Sequence, residues 1–282
     1  MPAAPSPGGR EYAFLQSLAA DLSAGKISFP TFTGATLRVR SALADPNLDA
    51  DRLSRVIMSE PLLSARLVKI ANSVALNPTG RPVADVRNAV LRVGFDVVRS
   101  SAVALALEQL RAAKDVQVFH ENAEWTWRHS LEVGTIAYVV ARGIARVNPD
   151  EALFAGLVHD IGRFYLLARA TAVPEVSDDF ADLDRLIHEW HPSIGQAVLH
   201  EFQLPEPTLL AVAEHENHRP ATPPRSVLDV VAIADRVALQ LNPPRYPSAA
   251  PREYPPVTDP SVLQLVQSST EDIRGLLAAL RG

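Results

Sequence analysis

No cysteine occurs in the 282 residues. Disulfides and thiolate metal sites are therefore excluded, and any metal must be held by histidine and carboxylate. No run of about 18 apolar residues is present, so no transmembrane helix is expected and a membrane is not an expected partner. The opening MPAAPSPGGR lacks a basic start followed by an apolar run, so it does not read as a secretory leader, and the cytoplasm is the expected location. Basic charge is also short. There are 27 Lys and Arg against 32 Asp and Glu, a net charge of −5, which argues against a general nucleic-acid grip. No alternating strand pattern of useful length and no clear internal repeat appear. Histidine is missing from the first 119 residues altogether.

What is present is an apolar, helically patterned chain. Hydrophobic residues make up 47% and charged residues 21%, enough for a substantial core. Residues 1–10 are rich in Pro, Gly and Ala and are expected to be a disordered tail. From Glu11 onward the spacing predicts helices. Leu15, Leu18, Ala19 and Leu22 share a face before Gly25, and Pro30 introduces a loop. Asp49 is an expected N-cap, Pro61 opens the next helix, and Asp85 caps another that ends at Gly94. Phe95 to Leu110 reads as a long apolar helix. Asn148-Pro149 starts the helix expected to hold His159 and Asp160 in its middle. Pro192 is expected to start a helix just after His191, and Pro205 and Pro207 the one that carries His215. Ser226 to Leu241 is an apolar helix containing Asp235. Residues 242–260 hold seven prolines and read as a linker. Ser261 to Leu280 reads as one final helix, free together with the linker to act as a docking element. The expected organisation is an amino-terminal helical lobe over 11–115, a second lobe over 116–241, the linker, and a C-terminal helix over 261–282.

All eight histidines lie between His120 and His218. The segment LVHDIGRFYLL sets His159 beside Asp160 among apolar residues. Imidazole and carboxylate are poor core groups but good ligands for a divalent metal. His129, His191, His215, Glu216 and Asp235 stand at further ligand positions. Several of these have a plainer reading. His129, between Trp125, Trp127 and the next turn, also suits a half-buried hydrogen-bonded side chain. His159 and Asp160 also suit a structural pair. His191, before a proline, also suits a helix cap. Asp235 is surrounded by apolar residues, and an unpaired buried carboxylate is costly, so it needs a metal, an arginine or a helix N-terminus. One shared ion accounts for all of them together. His120, His188, His200 and His218 read as surface or structural residues.

The order His129, His159-Asp160, Asp235 resembles the HD superfamily of metal-dependent phosphohydrolases, and the added His191 and His215-Glu216 resemble the longer pattern of HD-GYP phosphodiesterases. VIMSEPLLSARLVKIANSV and PVADVRNAVLRVGFDVVRS, followed by EALFAGLVHDIGRFYLL and HPSIGQAVLHEFQLPEPTLLAVAEHEN, are similar to the HDOD family, bacterial signalling modules related to HD-GYP. The resemblance covers roughly residues 25–240. It implies an all-α, two-lobed helical bundle. It also implies that His129, His159, Asp160 and Asp235 are metal ligands, with Asp160 bridging two ions and His191 and His215 holding the second. The ions would be one or two of iron, manganese or zinc.

HDOD proteins mostly lack a known enzymatic activity and are commonly described as regulatory or scaffold modules. Three departures from the HD-GYP pattern weigh against full activity. Glu216 stands where those enzymes have a second histidine. Their DGxGYP loop is absent, the chain reading NHRPATPP after Glu216. Arg163 replaces the lysine after HDIG, though arginine can still hold phosphate. The expected function is a regulatory module acting on signalling protein partners with a retained metal site. The alternative is a metal-dependent phosphohydrolase acting on a nucleotide or cyclic dinucleotide, in which Asp160 and Arg163 would be the catalytic groups.

Overall fold

The computed structural model describes residues 14–21, 34–78, 80–113, 119–171, 180–200, 204–243 and 256–281. The tail at 1–10, the helix stop at Gly25, the loop at Pro30 and most of the proline-rich 242–260 lie outside the described residues. Within them every regular element is a helix. We number them α1 (residues 14–21), α2 (Gly34–Leu43), α3 (Ala50–Met58), α4 (Pro61–Ala71), α5 (Val86–Ala112), α6 (His120–Gly143), α7 (Pro149–Val158), α8 (Ile161–Ala170), α9 (Phe180–His200), α10 (Glu206–Glu214), α11 (Val227–Leu241), α12 (Pro260–Ser268) and α13 (Thr270–Arg281).

Most boundaries follow from local chemistry. Asp49 accepts from the Arg52 amide at 2.7 Å, Asp85 from Asn88 at 2.9 Å and Asn148 from Asp150 at 2.9 Å. Ser226 and Asp229 cap α11 reciprocally: the Asp229 amide donates to Ser226 Oγ at 3.0 Å, and the Ser226 amide donates to Asp229 Oδ2 at 3.1 Å. Such a cap is worth about 1 kcal/mol. Pro61 and Pro149 fill first helical positions, where no N–H is needed. Gly94, at φ 79° and ψ 171°, divides α5 at the point where the sequence ends one helix and begins another.

Three local expectations are corrected. His159 and Asp160 are not mid-helix. They form the joint between α7 and α8, Asp160 leaving helical geometry at φ −100° and ψ 16° while its carbonyl accepts from the Arg163 amide at 2.9 Å. Apolar periodicity runs through both helices and does not register so short a break. Pro192 does not start a helix; it lies inside α9. The last helix is two, parted at Ser269, and Leu276, Ala279 and Leu280 of α13 are buried. The apolar face of α13 already packs on α4, α5 and α6, so it is not free for docking.

α6 is the central strut, flanked by α5, α7, α11, α12 and α13. One core cluster runs from Leu53, Leu67, Val97 and Leu107 in the first half to Leu131, Leu157, Phe164 and Val198 in the second. A smaller cluster joins α6, α7, α11 and α12 through Val133, Val140, Ala155, Val231, Ala234 and Val262. α7 meets α6 closely because Gly156 faces Gly134; a Cβ on Gly156 would stand 2.7 Å from the Gly134 Cα.

Candidate metal centre

The seven side chains singled out as ligands come from five places in the chain and converge. His129 is on α6, His159 and Asp160 at the α7–α8 joint, His191 on α9, His215 and Glu216 at the end of α10, and Asp235 on α11. None is more than 7% exposed. Two triads can be drawn, His129/His159/Asp160 and Asp160/His191/His215, each with ligand atoms within 4.8 Å of one another. Asp160 belongs to both, and its two oxygens face different ways. Oδ2 lies 3.6 Å from His159 Nε2. Oδ1 lies 3.1 Å from His191 Nε2 and 3.9 Å from His215 Nε2.

The backbone fixes how the imidazoles point. His159 Nδ1 donates to the Gly156 carbonyl at 2.8 Å, and His215 Nδ1 to the Val212 carbonyl at 2.9 Å. Both residues cap the C-terminal end of a helix, where unpaired carbonyls are available and the helix dipole favours a cation. His191 reaches the same arrangement inside α9. Pro192 has no N–H for the His188 carbonyl, and His191 Nδ1 donates to that carbonyl at 3.1 Å and to Ile187 at 3.0 Å. With Nδ1 protonated, each neutral ring turns a bare Nε2 lone pair inward. His159 Nε2 and His191 Nε2 have no hydrogen-bond partner despite full burial.

The electrostatics call for a cation. Burial lowers the affinity of His159, His191 and His215 for a proton, which keeps them neutral. Burial alone would raise the carboxyl groups, but neighbouring cationic and hydrogen-bonding groups outweigh it. The Arg163 guanidinium holds Asp160 well below the usual carboxylate range and also lowers Glu216, and the hydrogen bond from His129 lowers Asp235. Asp160, Glu216 and Asp235 are thus anions, with Arg163 as the one guanidinium in contact among the described residues: its Nε is 3.0 Å from Asp160 Oδ2 and its Nη2 3.5 Å from Glu216 Oε1. Two negative charges remain. Leaving them uncompensated out of water is strongly unfavourable, and a divalent ion among Nε2 lone pairs and carboxylate oxygens removes the cost. The donor set therefore fits a divalent metal.

Several supports escaped the sequence reading. A Cβ on Gly162 would stand 2.0 Å from the His191 carbonyl oxygen and 2.8 Å from the Gly195 nitrogen, so glycine here lets α8 press on α9 and brings Asp160 to His191. Trp125 stacks on His129 at 4.7 Å, and the Arg163 guanidinium lies 5.9 Å from the Trp125 ring. His188, read as a surface or structural residue, turns Nδ1 to within 3.9 Å of Glu216 Oε1. Arg236 does not pair with Asp235; it donates to the His218 carbonyl, while His129 takes Asp235. His218 binds Asp229 at 2.7 Å, with Asp229 lowered to about 2 by hydrogen bonds that outweigh its burial.

An all-α chain with a buried His/carboxylate cluster at a helix–helix joint defines a class, and comparison with known proteins narrows it. The family model described as the HDOD domain matches residues 29–218. The chain belongs to the HDOD domain family. It is similar to a solved structure from Shewanella amazonensis SB2B, described as a candidate metal-dependent phosphohydrolase, at 22% identity and a TM-score of 0.71, covering 96% of this chain and 99% of that one. It is also similar to an HDOD domain protein of unknown function from Geobacter sulfurreducens, at 24% identity and a TM-score of 0.61, covering 94% and 97%. At these identities the likeness establishes the fold. A protein of Treponema pallidum (strain Nichols) described as uncharacterized is 24% identical over 217 residues, 71% of this chain and 40% of that protein, so the chain spans less than half of its length. No helix among the described residues is long and apolar enough to cross a membrane.

Proposed function

We propose that this chain is a regulatory signalling module that acts by binding protein partners, with the His/carboxylate cluster retained as a buried divalent-metal staple. The observation that carries this reading is the engagement of Arg163. The guanidinium that the family resemblance would turn toward a phosphate lies against Asp160 and Glu216, and every candidate ligand side chain is buried. A hydrolase acting on phosphate esters needs a metal face open to solvent, with a bound water and cationic groups for the phosphoryl oxygens. A staple needs only the ligands. It joins α8, α9 and α10 through one ion, beside which the His129–Asp235 hydrogen bond ties α6 to α11, and stabilises the surface those helices present.

The alternative, a metal-dependent phosphohydrolase acting on a nucleotide or cyclic dinucleotide, is favoured by one feature. Asp160 offers a separate oxygen to each triad, the geometry of a carboxylate bridging two ions. The kinship in fold with the Shewanella amazonensis protein supports the same possibility. Protein loaded with iron, manganese or zinc and assayed for phosphatase and cyclic di-GMP turnover separates the two. The module reading expects no turnover above the free metal ion. Turnover that disappears in Asp160→Asn would overturn it in favour of the hydrolase.

A further inference from the structure

The two triads are not equivalent. Three of the four imidazoles follow the pattern that prepares a histidine for a metal: Nδ1–H is tied to a backbone carbonyl, and Nε2 is left as a lone pair. His129 does not. Its Nε2 lies 2.8 Å from Asp235 Oδ1, and because a carboxylate only accepts, the proton sits on Nε2, the atom that would have to ligate. Its Nδ1 is buried with no partner, so the ring has no carbonyl to receive a proton moved to that side. Binding an ion at His129 breaks a buried hydrogen bond and leaves an N–H orphaned.

The other group has neither handicap. His191 Nε2 lies 3.1 Å from Asp160 Oδ1 and 3.3 Å from Glu216 Oε1, and His215 Nε2 lies 3.9 Å from Asp160 Oδ1. Around a tetrahedral ion with ligand bonds of about 2.0–2.1 Å, neighbouring donor atoms stand about 3.3 Å apart. The two Nε2 atoms and a carboxylate oxygen of Asp160 thus already gather within 4.8 Å of one another, with Glu216 Oε1 beside His191 as a fourth donor within reach.

We infer that the chain has one strong metal position, formed by Asp160, His191, His215 and Glu216, and that the His129/His159/Asp235 side is a weak second position, its His129 and Asp235 bonded to each other instead. This rests on the proposal that the cluster holds a divalent cation, and it assigns that ion to one end of it. A module with a single buried ion also lacks the paired ions a bridging Asp160 would otherwise serve.

The test uses the full chain, stripped of metal by a chelator and titrated with Zn²⁺ against a chromophoric competitor. Wild type should take up one ion tightly and a second at least about tenfold more weakly, the scale of losing an outer hydrogen-bond partner. His129→Gln should keep the tight ion at unchanged affinity, and His215→Gln should lose it by more than about 100-fold, beyond the scale of an outer-partner loss. Two ions of matched affinity in wild type overturn the assignment, and so does loss of the tight ion in His129→Gln. The wild-type titration decides even if a variant does not fold. No bound Zn²⁺ at all in wild type refutes the cation reading itself, an outcome distinct from two matched ions.

Discussion

Asp160 Oδ1 stands 3.1 Å from His191 Nε2, two acceptors face to face, because His191 Nδ1 holds its proton on the backbone carbonyls of Ile187 and His188. A cation between them turns that unfavourable contact into two coordination bonds. This relationship depends on the close approach of α8 and α9, and from it the behaviour of several variants follows.

Gly162→Ala places a methyl group where the His191 carbonyl stands. Backbone cannot yield as a side-chain tip can, so α8 and α9 must part. The expected cost is about 3 kcal/mol, the upper end for overpacking, together with loss of metal uptake. Urea unfolding of the metal-free protein measures the first and metal titration the second. Unchanged metal affinity would show that the contact does not position Asp160.

Pro192→Ala restores an N–H that competes for the His188 carbonyl, and removes a proline from the interior of α9. The metal-free variant should be more stable, by up to about 3 kcal/mol. Its metal affinity should fall, because His191 Nδ1 loses one of two acceptors. Comparing melting temperatures with and without Zn²⁺ reads both effects; a variant that gains stability and affinity together contradicts the role given to the proline.

The pH dependence follows from the neutral histidines. His159, His191 and His215 have folded-state values lowered from 6.5 by burial. The unfolded chain therefore takes up protons first as pH falls below about 6.5. The stability these groups contribute is fully present above that value and is lost as pH drops toward their folded values. The lowered values of Asp160, Asp235 and Glu216 act in the same direction at still lower pH. The urea midpoint of the metal-free protein should be level from pH 8 to 7 and fall steadily from pH 6.5 to 5. A midpoint that rises over that interval would contradict burial as the controlling cause.

Arg66 is buried on α4, pairs with Glu108 of α5 and donates to the Arg281 carbonyl at 3.5 Å, tying the end of α13 to the first half of the chain. Arg66→Ala leaves both acceptors without it. Glu108 is partly solvated, so the cost lies below the ~3–5 kcal/mol of a fully buried pair, at about 2 kcal/mol. Limited proteolysis should cut within α13 earlier than in wild type.

How much of this was legible in the sequence depended on how local each cause is. The caps Asp49, Asp85 and Asn148 satisfy amides two or three residues away, so a short window contains the whole interaction. The candidate ligands stood out because ionisable groups among apolar neighbours need a shared explanation, and the structure brings those seven side chains together. The break at Asp160 was hidden because α7 and α8 are both apolar, and Pro192 suggested a helix start because proline usually marks one. Gly162 and Gly195 were invisible as a pair, since their requirement arises only where α8 crosses α9. The proton on His129 Nε2 could not be read either, because Asp235 lies 106 positions away in the chain.

The central claim is that Asp160 and its histidines hold a divalent ion, and elemental analysis of protein purified without a metal-affinity tag tests it most directly. The account predicts near-stoichiometric iron, manganese or zinc in wild type and its loss in Asp160→Ala. Metal-free wild-type protein that also fails to take up added ions, or an Asp160→Ala variant with undiminished metal, would contradict it.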